Sequence, residues 1–305
     1  MYNTKINLNP HWVTGFIDGE GSFYIRLSEN KYNKSGWSTQ ACFQVGLHIK
    51  DKDLLLQSKS FFNETGNIYT NNNVVIYQVR SLNEIIQVII PHFEKYSLIT
   101  QKQSDFILFK KIVELMNKGE HLNKDGLTKI ISLKASLNKG LPNKLKIYFP
   151  EVIEIDKPKV NFPIDINYNW IAGFFSGEGC FSVGISKATD CKIGYSVKLQ
   201  IFLGQHSKDK LLMIHLVNIL DCGNAYKYSN REYVELRVSK FEDINTKIIP
   251  FFKKYKIIGI KSLDFVDFCK VAELINKKAH LTLEGLEQIR KIKSKTNRSR
   301  IVSIN

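Results

Sequence analysis

No stretch of this 305-residue chain approaches the roughly twenty consecutive apolar residues that span a bilayer. The opening MYNTKINLNP also lacks the apolar core of a secretory signal. We therefore expect a folded protein that works inside a cell or organelle and does not enter a membrane. Cysteine is scarce: Cys42, Cys180, Cys191, Cys222 and Cys269 are odd in number, widely scattered and form no CxxC, which excludes a disulfide framework and a structural zinc site. Proline is rare too, and three of its seven copies fall within residues 150–166. Arginine is the scarcer cation, since seven arginines leave 37 lysines among 44 basic residues. With the abundance of Asn and Ile, that bias points to an AT-rich genome such as an organelle's, and a mitochondrial location is expected.

Positive charge, by contrast, is plentiful. A formal net charge of +15 raises the local concentration of polyanions and speeds their capture, so nucleic acid is the expected partner. No basic amphipathic helix stands out to favour a membrane surface instead. The 43% hydrophobic content is enough for a sizeable core.

The chain is written twice. WVTGFIDGEG (12–21) returns as WIAGFFSGEG (170–179), QVGLHIKDKDLL (44–55) as QIFLGQHSKDKLL (200–212), and GNIY (66–69) as GNAY (223–226). The stretch 91–127 then aligns with 250–286 without a gap. The offset moves from 158 through 156 and 157 to 159, so small insertions sit in loops. Each copy reads as a short helix, a pair of alternating strands, a helix, a second pair of strands and a long amphipathic helix. The predicted class is α+β, with two pseudo-symmetric αββαββα repeats whose antiparallel sheets carry helices on one face. The expected boundaries are 1–149 for the first repeat, 150–166 for a proline-bearing linker and 167–305 for the second.

Gly15 and Gly19, like Gly173 and Gly177, are four apart and share a helix face, where missing side chains let another backbone approach. The expected partner is the other copy, with the two motif helices packed at a pseudo-twofold interface. That packing would bring Glu20 and Glu178 together at helix carboxyl ends, which already carry partial negative charge. Two carboxylates about 4 Å apart repel by roughly 4 kcal/mol at an effective dielectric of 20. A divalent cation would offset this, with both carboxylates and the Gly19 and Gly177 carbonyls offering hard oxygen ligands suited to Mg²⁺. Asp18 faces Ser176 in the repeat, so this position is expected to hold a hydrogen bonder and not a ligand.

The two motifs resemble the signature helices of single-chain LAGLIDADG homing endonucleases, and the likeness covers nearly the whole chain. Residues 13–21 and 171–179 align with the nine-residue signature, whose last acid falls on Glu20 and Glu178. The resemblance implies a hydrolase: a monomeric, intron-encoded nuclease whose sheets form a DNA-binding saddle. Glu20 and Glu178 would be its catalytic, metal-binding residues, leaving 3′ overhangs across a narrowed minor groove. Mg²⁺ is the implied cofactor, with Ca²⁺ or Mn²⁺ substituting for binding or cleavage. Lys102 and Lys261 match basic residues that the family places at the edge of the active site, where a cation would stabilise charge on the scissile phosphate. His121 and His280 also correspond, but lie far along the chain and are read as packing or capping residues.

The partner would be double-stranded DNA, read by the polar sheet faces in the major groove. The outward candidates in the first repeat are Ser22, Tyr24, Arg26, Ser28, Gln44, His48, Thr70, Gln78 and Arg80. In the second they are Ser182, Ser186, Lys198, Gln200, Lys227, Arg237 and Ser239. Arg26 faces Gly184 and Arg80 faces Ser239 in the alignment, so a long, asymmetric target is expected. Two alternatives stay open: a maturase that assists splicing of intron RNA, and a DNA-binding protein without catalysis. Two intact glutamates argue against the second.

Overall fold

The structure is a computed structural model that describes residues 7–297 and 300. It falls into two compact units, 1–165 and 166–305. The first runs α1 (Pro10–Glu20), β1 (Gly21–Glu29), β2 (Trp37–His48), α2 (Lys52–Phe61), β3 (Asn67–Asn71) and β4 (Val74–Val79). A helical run follows, from α3 (Leu82–Glu84) through a π turn (Ile85–Ile89) to α4 (Ile90–Lys95). Then come α5 (Lys102–Asn117), α6 (Lys124–Ser136) and α7 (Asn143–Tyr148). The second unit repeats the plan with α8 (Tyr168–Glu178), β5 (Gly179–Lys187), β6 (Tyr195–His206), α9 (Lys210–Leu220), β7 (Asn224–Lys227) and β8 (Tyr233–Val238). It continues with α10 (Phe241–Asp243), a π turn (Ile244–Ile248), α11 (Ile249–Lys254), α12 (Lys261–Asn276) and α13 (Leu283–Lys293). Among the described residues no helix is long and apolar enough to cross a membrane.

Both sheets are antiparallel and share one order, β1-β2-β4-β3 and β5-β6-β8-β7. Period-two alternation sends Phe23, Ile25, Phe43, Val45, Val75, Tyr77 and Val79 to the helix-covered face, where each is at most 2% exposed. An aromatic cluster fills that side. Phe23 lies 5.2 Å from Phe43, Phe93 and Phe106 and 5.4 Å from Phe109, and Phe181 meets Phe252, Phe265 and Phe268 at 5.1–5.7 Å. Truncating one such ring costs about 3–5 kcal/mol.

The motif helices begin alike and end alike. Asn9 accepts hydrogen bonds from the backbone N–H groups of His11 and Trp12 ahead of a helix opened by Pro10, and Asn167 accepts one from Asn169. At the far end, a Cβ on Gly21 would lie 2.4 Å from Ile17 Cγ2, and one on Gly179 would lie 2.4 Å from Phe175 Cδ1. The second glycine of each GEG therefore lets the chain turn from helix straight into the first strand while hugging the last helical turn.

Residues 150–166 contain no helix or strand, and all but the last belong to the first unit. Ser136 Oγ donates to the Ile155 carbonyl at 2.5 Å, and Lys157 Nζ binds Asp105 at 2.8 Å.

Candidate active site and nucleic-acid interface

Glu20 is the last residue of α1, half-buried, and Glu178 is the last of α8, exposed. Each stands beside a lysine drawn in from the start of a distant helix. Lys102 Nζ donates to the carbonyls of Ile17 at 2.8 Å and Gly19 at 3.0 Å, while Lys261 Nζ donates to the Gly177 carbonyl. A lysine at a helix amino terminus opposes that helix's own dipole. Lys102 and Lys261, first residues of α5 and α12, therefore do not serve the helices that carry them. Their ammonium groups meet the negative ends of the motif helices, next to the glutamates.

Asp18 holds the arrangement in place. It is 1% exposed and accepts from Ile99 N–H at 3.0 Å, Thr100 N–H at 3.3 Å and Thr100 Oγ1–H at 2.6 Å. Those bonds fix the turn two residues ahead of Lys102. In the second unit Ser176 Oγ accepts from Ile258 N–H at 3.1 Å and donates to the Ala172 carbonyl at 2.8 Å. Ser176 thus clamps the corresponding turn with one neutral bond, where Asp18 uses three to a carboxylate. The expectation that this position holds a hydrogen bonder describes what both residues do.

A second clamp escaped the sequence reading. Asn138 and Asn297 both adopt left-handed backbone, with φ of 53° and 54°. Asn138 Nδ2 donates to the Phe23 carbonyl at 2.7 Å, and its N–H donates to Asp105 at 2.8 Å. Asn297 repeats this on Phe181 at 3.1 Å and Asp264 at 3.0 Å. A cation closes each: Lys157 on Asp105 at 2.8 Å, Arg300 on Asp264 at 2.8 Å. Phe23 and Phe181 lie three residues past the glutamates, and Asp105 and Asp264 lie three past the lysines. The clamp thus ties the strand that follows each glutamate to the helix that carries each lysine. The only signal in the sequence was a shared offset of 159 linking Asn138 to Asn297 and Asp105 to Asp264.

The donor set suits a hard divalent cation. Each motif offers a carboxylate beside a glycine carbonyl, whose second lone pair stays available when lysine occupies the first. Among the described residues no group of three or more His, Cys, Asp or Glu forms a closed cage, so phosphate and water would complete the shell, as Mg²⁺ prefers. His121 and His280 lie in the short turns Glu120–Leu122 and Ala279–Leu281, where burial lowers both pKa values.

On the faces away from the helices, Ser22, Tyr24, Arg26 and Ser28 alternate outward along β1, with Gln44 and His48 on β2. Ser182, Ser186, Lys198 and Gln200 do the same on β5 and β6, and Arg80 and Ser239 sit one residue beyond β4 and β8. His48 Nδ1 also accepts the Lys50 N–H at 3.2 Å, capping the turn that follows.

Three placements need correction. Thr70 pairs with Val75, and Lys227 with Val234, so both share the parity of the helix-covered face. The outward residues of these edge strands are Asn67, Tyr69 and Asn71, and Asn224 and Tyr226. Gln78 does face outward but is only 4% exposed, because its Nε2 donates to Tyr24 Oη at 2.6 Å and Gln44 Oε1 at 3.0 Å. Tyr24 Oη in turn donates to Gln44 Oε1 at 3.1 Å. Burial pushes the Tyr24 phenol up to about 12, so it remains a neutral donor.

Two helix-to-strand junctions, one per unit, each carry an acid at the helix end beside a glycine carbonyl held by a lysine, and define a duplicated α+β scaffold with one acidic junction in each copy. The profile of the family described as LAGLIDADG endonuclease matches residues 13–113 and 171–272, and the chain belongs to that family. It is 40% identical over 291 residues to probable intron-encoded endonuclease 3 of Neurospora crassa, covering 94% of this chain and 54% of that protein. Probable intron-encoded endonuclease 2 of the same fungus is 41% identical over 299 residues, at 94% and 65% coverage. The chain thus spans between half and two thirds of the length of these curated relatives. Among solved structures, the I-SmaMI LAGLIDADG homing endonuclease bound to cleaved DNA is 43% identical, with a TM-score of 0.94 over 96% of this chain and 98% of that one. I-SmaMI has also been solved on an uncleaved DNA target in the presence of calcium ions.

Proposed function

We propose that this chain is a site-specific homing endonuclease that makes a divalent-metal-dependent double-strand break in a long, asymmetric DNA target and leaves 3′ overhangs. The observation that carries the reading is the repeated junction of acid, glycine carbonyl and lysine at the ends of α1 and α8. Glu20 with the Gly19 carbonyl, and Glu178 with the Gly177 carbonyl, would hold the cations, Mg²⁺ in the cell. When bound, these ions supply Lewis acidity to phosphodiester hydrolysis. Lys102 and Lys261 place fixed positive charge where charge develops on the scissile phosphate, and Asp18 and Ser176 keep them there. One acid serves each DNA strand. The repeats, 1–149 and 167–305 joined by 150–166, each carry one such junction, so a single chain holds both acids and a monomer would suffice.

The outward residues of both sheets read the DNA. Arg26 and Arg80 are exposed and offer whole guanidinium forks to guanine, while Gln44 presents an amide whose orientation is fixed by Tyr24 and Gln78. Lysine-rich composition and the similarity to intron-encoded fungal proteins support an intron of an organellar, mitochondrial genome as the coding locus.

Selection of cleavable sites from a randomised duplex library, with Mg²⁺ and then with Ca²⁺, tests this reading. It predicts recovery of one asymmetric site with Mg²⁺. Failure to recover any cut duplex, or cutting that persists with metal chelated, would refute it. Specific capture of an intron RNA in place of duplex DNA would establish the splicing alternative.

A further inference from the structure

The polar face of the second sheet carries an acid where a polyanion is expected. Glu235, on β8, is 9% exposed and lies on the same face as Arg237. Its Oε1 accepts from Arg237 Nε at 2.9 Å and Nη2 at 2.6 Å. Two tyrosines complete its shell, Tyr228 Oη donating to Oε1 at 3.4 Å and Tyr233 Oη to Oε2 at 3.5 Å. Arg237 Nη2 also donates to Tyr228 Oη at 3.1 Å. The guanidinium is held between rings, its carbon 5.1 Å from the centre of Phe202 and 5.2 Å from that of Tyr226. Its side chain is still 33% exposed, and among the described residues Nη1 makes no hydrogen bond.

At the equivalent positions the first unit has Ile76 and Gln78, so this charged lock belongs to the second unit alone. Stability is a weak reason for it. The desolvation of a mostly buried carboxylate offsets much of what its ion pair contributes, and an acid facing phosphate would weaken binding of any duplex. Preorganisation is the better account: an arginine whose Nε–Nη2 edge is occupied and whose plane is fixed can donate outward only from Nη1 and in one direction.

Resting on the reading of the chain as a sequence-specific DNA endonuclease, we infer that Glu235 is a specificity-determining positioning residue. It locks Arg237 so that Nη1 donates to the paired acceptors O6 and N7 of a guanine in the half-site met by the second unit. Phosphate is not the target of this arginine, because the carboxylate already neutralises it.

The test measures binding, in Ca²⁺, to duplexes carrying every single base-pair change of the selected target, for wild type, Glu235→Gln, Arg237→Ala and the double variant. Wild type should prefer guanine at one base pair in that half-site, and Arg237→Ala should erase the preference. Glu235→Gln, which keeps the side chain's shape, should reduce it by about tenfold at that position alone. On the Arg237→Ala background Glu235→Gln should change nothing further. The inference is overturned by an unchanged profile in Glu235→Gln, or by a uniform loss at every position. It is equally overturned by an effect that persists without Arg237, which would mean that Glu235 contacts a base itself. A wild type that selects no duplex would instead refute the endonuclease reading.

Discussion

At the scale of single residues, the two units use different chemistry in the same place. Thr14 Oγ1 donates to the Tyr96 carbonyl at 3.0 Å, so its 3.1 Å contact with His92 Nε2 must use a proton on the imidazole. The second unit has Ala172 and Phe251 at these positions. Burial drives the His92 pKa down to about 4. The unfolded chain then binds the proton that the folded one refuses, so stability is complete above pH 6.5 and lost as pH falls towards 4. A shift of this size is worth roughly 3 kcal/mol. Thermal melts at pH 7.5 and 4.5 should show a steep acid loss in wild type. Replacing Thr14 and His92 by the second unit's Ala and Phe should flatten it, and an unchanged acid slope would show that His92 is not its source. The placement of Glu20 and Glu178 at helix ends, and of Lys102 and Lys261 at the start of long helices, was legible at this scale because a repeat shows each position twice. The burial of Gln78 was not: alternation gives the side of a strand a residue faces, while its depth depends on the side chains of Gln44 on the neighbouring strand and Tyr24 one strand further.

Elements are joined to the site by short polar contacts from the end of each unit. Asn138 and Asn297 each cross back to the strand after a glutamate and the helix after a lysine. Asn138→Ala removes one hydrogen bond and replaces a residue that tolerates left-handed backbone by one that does not, which should destabilise the protein by about 2–3 kcal/mol. Asn138→Gly restores backbone freedom and loses only the side-chain bond. If the clamp positions Glu20 and Lys102, the Gly variant should recover the melting temperature while its cleavage rate stays several-fold low with binding intact. Recovery of both would reduce the clamp to a stabilising role. The succession of helices and strands, with the motif helices and α5 and α12, was readable from periodicity. The facing of β3 and β7 was not, because edge strands of five and four residues carry no apolar alternation, and ladder register alone sets their parity. Left-handed Asn138 and Asn297 were invisible for a related reason, since the αL turn is set by contacts with Phe23 and Phe181 over a hundred residues away.

For the molecule as a whole, a charge of +15 raises the local concentration of any polyanion, which is how the proposed DNA target would be met. If lysines contact six to ten phosphates, affinity should fall by about 10³–10⁵ between 50 and 200 mM salt, with a linear log–log slope. Titrations across that range check this, and a flat response would mean that the positive charge lies away from the DNA. The duplication made the α+β class, the recurrence of one acid at the end of each motif helix and the asymmetry of the outward residues legible. It could not show how much each sheet had diverged, since Glu235 and Arg237 replace Ile76 and Gln78 within an otherwise matching strand. The central claim is that one acid from each repeat serves one DNA strand, and a supercoiled plasmid bearing the selected site tests it most directly. With Mg²⁺, the wild type should linearise the plasmid, and Glu20→Gln and Glu178→Gln should leave it nicked or uncut while binding it normally in Ca²⁺. Linear product from both variants at the wild-type rate would contradict the account.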